Sequence, residues 1–128
     1  VSGESDLATL MATMSPQHRP GRFVFATVDT VPVDAEIFAS VLEAEGLSVL
    51  VAEDDARRLG LPYSFVAGWI TLQVHSALDA VGLTAAVSTA LATAEISCNV
   101  IAGNYHDHLL VPIDRLDDAL GVLRELTA

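Results

Sequence analysis

The sequence predicts an α+β protein built from βαββαβ-type units, and three observations predict it. Ile70 to Pro112 reads strand, glycine-containing loop, small-residue helix, strand, polar turn, strand. Leu116, Ala119, Leu120, Leu123 and Leu126 then give the apolar stripe of a further helix. The composition is 52% apolar with only 5% aromatic residues, so Ala, Val and Leu must make the core. Such small side chains suit helices lying close on a sheet. A chain of 128 residues is one domain or two very small ones, and at this size roughly two-thirds of the unfolded surface can be buried.

Along the chain, Leu7, Leu10, Met11 and Met14 recur at helical spacing over residues 4–14, with Ser5 or Ser2 as the cap. Pro16 and the Arg19-Pro20-Gly21 cluster end that helix. Phe23 to Val28 is a β-rich run, and residues 30–32 form a loop. Residues 34–53 admit two readings. Ile37, Val41 and Leu42 fit a helix capped by Asp34, while Ile37, Ala39 and Val41 also alternate as in a strand. An acidic turn with a glycine, Glu43 to Gly46, favours a hairpin leading into the strand Leu47 to Ala52. Asp54 to Leu59 makes a single helical turn, closed by Gly60 and Pro62.

The second half opens with a strand from Trp69 to Val74. Leu83, Ala86, Val87, Ala90 and Leu91 share one face of a helix over residues 83–94. Ile96 to Ala102 reads as a buried strand, residues 103–107 as a turn, and His108 to Val111 as the return strand. Asp114 caps the last helix, with Asp117 at its third position. The second half is therefore β-α-β-β-α, one strand short, and the first half is α-β-β-β with a helical turn. Exchange would cure the shortage: a strand of one half completes the sheet of the other. The boundary falls near Leu61 to Ser64, giving halves of 1–63 and 64–128.

The formal charge of −11 speaks against nucleic acid, whose phosphates require clustered Lys and Arg, and against an anionic membrane surface. No run reaches the roughly 18 apolar residues of a membrane span. No secretory signal is visible, so the cytoplasm is the expected location. The single cysteine, Cys98, allows no internal disulfide and reads as a small buried hydrophobe with no activating base beside it. There is no Gly-rich phosphate loop, nucleophile motif or zinc signature, so the sequence offers no support for an enzyme and none for a cofactor.

The strings ITLQVHSALDAVGLTAAVSTALA, ISCNVIAG and HDHLLVP resemble the C-terminal part of a bacterial family of uncharacterised ACT-domain proteins. GRFVFATV and EAEGLSVLVAEDDA resemble the first half of the same family, with Ser48 standing where Thr is more usual. The resemblance covers nearly the whole chain. It implies a tandem of two ferredoxin-like halves, antiparallel sheets packed against helices. It also implies a non-catalytic, regulatory protein that binds an amino acid and pairs as a homodimer through sheet edges. In such proteins the ligand lies between units, held by the loop after the first strand, the start of the first helix, and an Asn near the start of the second strand. Those positions are Asp79, Ala80, Val81, Gly82, Leu83, Thr84 and Asn99.

These residues have a physical reason to bind. Gly82 lets a backbone approach a ligand, the helix after it presents free N–H groups to a carboxylate, and Asp79 can accept from an ammonium group. They also have a structural explanation, in which Asp79 caps the helix and Gly82 only permits the turn. Asn99, read as buried, must be paired with either the loop or a ligand.

His106-Asp107-His108 places two imidazoles on one face of a strand, which suits a metal-dependent enzyme in chemistry. Three consecutive residues rarely hold one ion, however, and His18 and His75 are distant, so a polar hairpin tip is the favoured reading. Glu43, Glu45, Glu53, Asp54 and Asp55 read as a solvated hairpin edge together with Arg57 and Arg58. Tyr63 and Trp69 read as core packing.

Overall fold

The computed structural model describes residues 6–74 and 81–127. Helix α1 (Leu7–Thr13) opens at Asp6, whose carboxylate accepts from the Thr9 backbone N–H at 3.0 Å. The cap is therefore Asp6, and Ser2 and Ser5 lie outside the described residues. Strand β1 follows at once and is long, Ser15–Val28. Pro16 and the Arg19-Pro20-Gly21 cluster lie inside this strand and do not form a connecting loop. Proline's fixed φ is compatible with extended backbone wherever its missing N–H is not needed.

Gly21–Ala67 forms one compact unit. Here β2 (Ala39–Glu43) and β3 (Gly46–Ala52) make the hairpin, paired from Ala39↔Leu50 to Glu43↔Gly46. The far side of β3 pairs antiparallel with β1, from Phe23↔Ala52 to Val28↔Leu47, so the order is β2-β3-β1. The period of two places Val24, Ala26, Val28, Val49 and Val51 on one face, and they bury against Ala56 of α2 (Glu53–Leu59). Gly60 ends α2 at φ 69, the left-handed C-terminal position that glycine takes without strain.

The described residues of 1–20 and 68–128 form the other compact unit. Its elements include β4 (Val66–Gln73, from Gly68 onward), α3 (Leu83–Thr93), β5 (Asn99–Ala102), β6 (Asp107–Pro112) and α4 (Leu116–Thr127). The strand order is β1-β4-β6-β5. With β4, β5 and β6 as first, second and third strands of a βαββαβ unit, the fourth place is taken by the N-terminal part of β1. The missing strand thus comes from Ser15–Pro20. Leu10 and Met14 bury with Ile70, Leu72, Val87, Leu91, Leu109, Val111 and Leu123 in the core of this unit.

Two local expectations need correction here. The second strand is only four residues long, and Asn99 at its start is exposed, because β5 is the edge of the sheet. Burial in that stretch falls on Ile96, with Cys98 half-buried, before the ladder begins. Asp114 does not cap α4 either. It sits within a 3-10 turn, Ile113–Arg115, entered from Pro112. Arg115 reaches back to the carbonyl oxygen of Ala94 at 3.3 Å, satisfying the end of α3.

Candidate functional site

The head of α3 is built around Gly82. Gly82 is the N-cap at φ 106, and among the described residues no side chain caps the helix. The first intrahelical bond is from Ala86 N–H to the Gly82 carbonyl, 2.8 Å. The N–H groups of Leu83, Thr84 and Ala85 therefore have no intrahelical acceptor, and the helix dipole makes this end positive. No acidic residue occupies the first turn. Leu83 is in the core, while Val81 is 82% exposed and Thr84 is exposed beside it. A Cβ added at Gly82 would lie 2.9 Å from Leu7 Cδ2, so α1 lies directly against the glycine.

The structure thus places Val81, Gly82 and Thr84 together at the surface, with the Leu83 side chain turned into the core. Asp79 and Ala80 lie outside the described residues. Asn99 is elsewhere in the unit. α3 runs about 16 Å away from Gly82 before β5 begins, and Asn99 lies about 10 Å along β5 from the hairpin tip, which returns toward the helix head. The residue that does reach this end of the sheet is His106. Its Nδ1 is 3.3 Å from the Val74 carbonyl, the last described position before the loop. With a carbonyl as partner, that nitrogen carries the proton and donates.

His108 is engaged separately. Its Nδ1 is 3.1 Å from both Trp69 Nε1 and Thr71 Oγ1. An indole N–H only donates, so Nδ1 of His108 accepts and its proton sits on Nε2. The two rings meet edge to face, 5.6 Å between centroids at 89°, and the Arg19 guanidinium lies 4.5 Å from the centre of the Trp69 ring. Burial holds the His108 pKa below its usual value, His106 and Arg19 push the same way, and Asp107 opposes them. The two histidines of the turn thus have different partners. Among the described residues no three His, Cys, Asp or Glu side chains gather as a metal site. Burial also pushes the Cys98 thiol up, which keeps it protonated and unreactive.

Sequence reading missed one constellation. Glu53 is not part of a solvated edge but 4% exposed. Its Oε1 accepts from Arg22 Nε at 2.7 Å, and its Oε2 accepts from the Tyr63 hydroxyl at 3.0 Å and lies 3.4 Å from an Arg57 nitrogen. Tyr63 also accepts from Arg57 Nε at 3.0 Å. The hydrogen bond from Arg22 is the main cause that holds the Glu53 carboxyl below the ordinary carboxylate range. The signal was available in the spacing: Val49 and Val51 face inward, and Glu53 continues the same period of two.

A tandem of ferredoxin-type halves defines a class of small α+β domains. Two stretches of this chain, residues 2–68 and residues 64–125, match the ACT domain family. The chain belongs to that family. It is similar to a solved Vibrio cholerae protein of unknown function, described as a possible transport protein. The two share 42% identity over 95% of this chain and 96% of that one, with a TM-score of 0.86. An Agrobacterium tumefaciens protein shares the fold at 20% identity, 89% coverage of each chain and a TM-score of 0.70. So does the ligand-free regulatory subunit of aspartate kinase from Thermus thermophilus, at 8% identity, 91% and 97% coverage and a TM-score of 0.66. No curated protein matches the chain. No described helix is long and apolar enough to cross a membrane.

Proposed function

We propose that this chain is a non-catalytic regulatory protein of the cytoplasm that binds an amino acid at the head of α3 and passes its occupancy to a partner protein. One observation carries the reading: α3 starts on a left-handed glycine, which has no side chain of its own to take up the free N–H groups of the first turn, so these backbone donors suit a ligand carboxylate. Membership of the ACT family supports it. Leu83 and Thr84 supply the donors, Val81 and Gly82 shape the approach, and the loop residues Asp79 and Ala80 take the ammonium end. Asn99 is exposed on the edge strand β5, which suits it to serve the site of a second copy in a homodimer. Ligand binding then biases the arrangement of the copies, which the partner reads.

The test is a thermal-shift screen against the proteinogenic amino acids. A ligand at a hundred times its dissociation constant stabilises by about 2.7 kcal/mol. Thr84→Glu is the matched variant. Thr84 is exposed in the first turn of α3, where an added carboxylate is favourable to the helix by about 0.3–1 kcal/mol yet repels a bound carboxylate. The expected result is an equally or more stable protein that no longer responds to the amino acid. A wild-type protein shifted by no amino acid, or a variant that responds undiminished, would refute the proposal.

A further inference from the structure

The unit of residues 21–67 holds a cleft that the helix-head reading does not use. It has a volume of about 590 Å³ and is lined by Phe25, Thr27, Ser48, Tyr63, Ser64 and Phe65, among others. That size lies within the roughly 300–1,000 Å³ usual for small-molecule sites. Its lining takes in Thr27 and Ser48, register partners on the face of β1 and β3 turned away from the valine core, together with Ala26 of that core and Tyr63, which packs against it. Its wall is the segment 62–65, and this wall is tied down. The Tyr63 hydroxyl is held between Glu53 and Arg57, and Glu53 in turn by Arg22. The buried carboxylate that sequence reading missed therefore has a purpose here: it fixes one side of a preformed cleft.

The lining states what kind of molecule fits. Phe25, Tyr63 and Phe65 offer aromatic surface, and Phe25 is 36% exposed. Thr27, Ser48 and Ser64 offer hydroxyl groups. None of the lining side chains is charged, but the Ser48 hydroxyl donates to Glu43, which places a carboxylate at the rim. With its proton committed, Ser48 presents an acceptor to the cleft. The unit carries three arginines against eight acidic residues, so its net charge is negative. Arg22 and Arg57 pair with Glu53 and Arg58 with Asp55, and the chain has no lysine. An anionic ligand would therefore face a unit of net negative charge.

We propose that this cleft is a second binding site, for a small aromatic molecule bearing an amine or other hydrogen-bond donor and no negative charge. The ring stacks among Phe25, Tyr63 and Phe65, and the donor end points to Ser48 and Glu43.

Three indoles of one ring system and different charge test this: tryptamine, indole and indole-3-acetate, titrated into the ¹⁵N-labelled full chain. Saturable shifts are expected at Phe25, Thr27, Ser48 and residues 63–65. Tryptamine should bind tightest and indole-3-acetate weakest, by about fivefold or more for a single rim charge. Phe25→Ala should weaken all three by roughly tenfold through lost ring contact. Because that variant also removes part of an exposed sheet face, Glu43→Gln serves as the independent arm. It should erase the advantage of tryptamine over indole, because it removes the rim charge and keeps an acceptor oxygen. Indole-3-acetate binding as tightly as tryptamine, a Glu43→Gln variant that keeps the preference, or shifts confined to residues 81–85 would each overturn the proposal. Absence of any saturable shift would overturn it too, while leaving the amino-acid screen at α3 untouched.

Discussion

Gly82→Ala isolates what the head of α3 demands of its backbone. Gly82 stands at φ 106, where a side chain is strained whatever the space around it, at a cost of about 1–3 kcal/mol. A second cost arises from the new methyl, which would lie 2.9 Å from Leu7 Cδ2. Leu7 is 39% exposed and can turn away, so backbone strain should dominate. For a chain of this size about 4 °C of melting temperature accompanies each kcal/mol, so a fall of roughly 4–12 °C is expected. Urea unfolding of the wild type, Gly82→Ala, Leu7→Ala and the double variant separates the causes as a cycle. If strain dominates, the two substitutions add. If the clash dominates, Leu7→Ala rescues Gly82→Ala by 1 kcal/mol or more, by the usual size of coupled contacts. A Gly82→Ala protein within about 0.5 kcal/mol of the wild type, the range of neutral surface changes, would refute the geometry on which the proposed ligand site stands.

Two predictions follow from titratable groups. The folded pKa of Glu53 lies below its unfolded value, so the stability it contributes is complete above the unfolded value and is lost as pH falls through the folded one. Glu53→Gln should therefore lower the urea midpoint at neutral pH, with the gap to the wild type closing on acidification below the usual 4.5; a gap that is constant from pH 7 down to pH 3 contradicts the buried ion pair. The His108 pKa is likewise held low, here because burial disfavours the cation. As pH drops below 6.5 the unfolded chain takes up this proton first, and stability is lost from there down to the folded pKa. NMR titration should place the His108 midpoint below 6.5, with Nδ1 unprotonated, and His108→Gln should flatten the stability profile over that range. A His108 midpoint at or above 6.5 rules out the Trp69 and Thr71 contacts.

How much of this was legible in the sequence differs by region, for physical reasons. The order β4, α3, β5, β6, α4 was readable because Leu83, Val87 and Leu91, or Leu116, Leu120 and Leu123, repeat with the helical period on faces that do bury. The hairpin of β2 and β3 was readable because Gly46 and the acidic turn outweighed a helical pattern of only three residues. The long β1 was not, since proline and glycine at positions 20 and 21 normally punctuate, and only the sheet around them shows that the strand continues. Burial on β5 was overstated because ISCNVIAG is apolar throughout. An edge strand exposes alternate positions regardless of composition, and Asn99 fell on an exposed one. Within the candidate site, the backbone freedom required at Gly82 was predictable from glycine chemistry. The approach of Leu7 to Gly82, and of His106 to Val74, joins residues far apart in sequence, and no local pattern announces such contacts.

The N-terminal segment explains why the candidate site belongs to the whole chain and not to its second half. A fragment beginning at residue 64 would hold every element from β4 onward, and it would read from sequence as nearly complete. Yet its sheet would have β4 as an open edge, because the fourth strand is supplied by Ser15–Pro20. Leu10 and Met14, both buried in this unit's core, would be missing as well. Loss of that packing bears directly on α3: α1 contacts this helix, and Leu7 lies against the glycine that starts it. On the proposed function, a ligand at the head of α3 would therefore bear on α1 through Leu7. On the same reading, a partner that reads occupancy of this site would find α1 beside it as the surface to read.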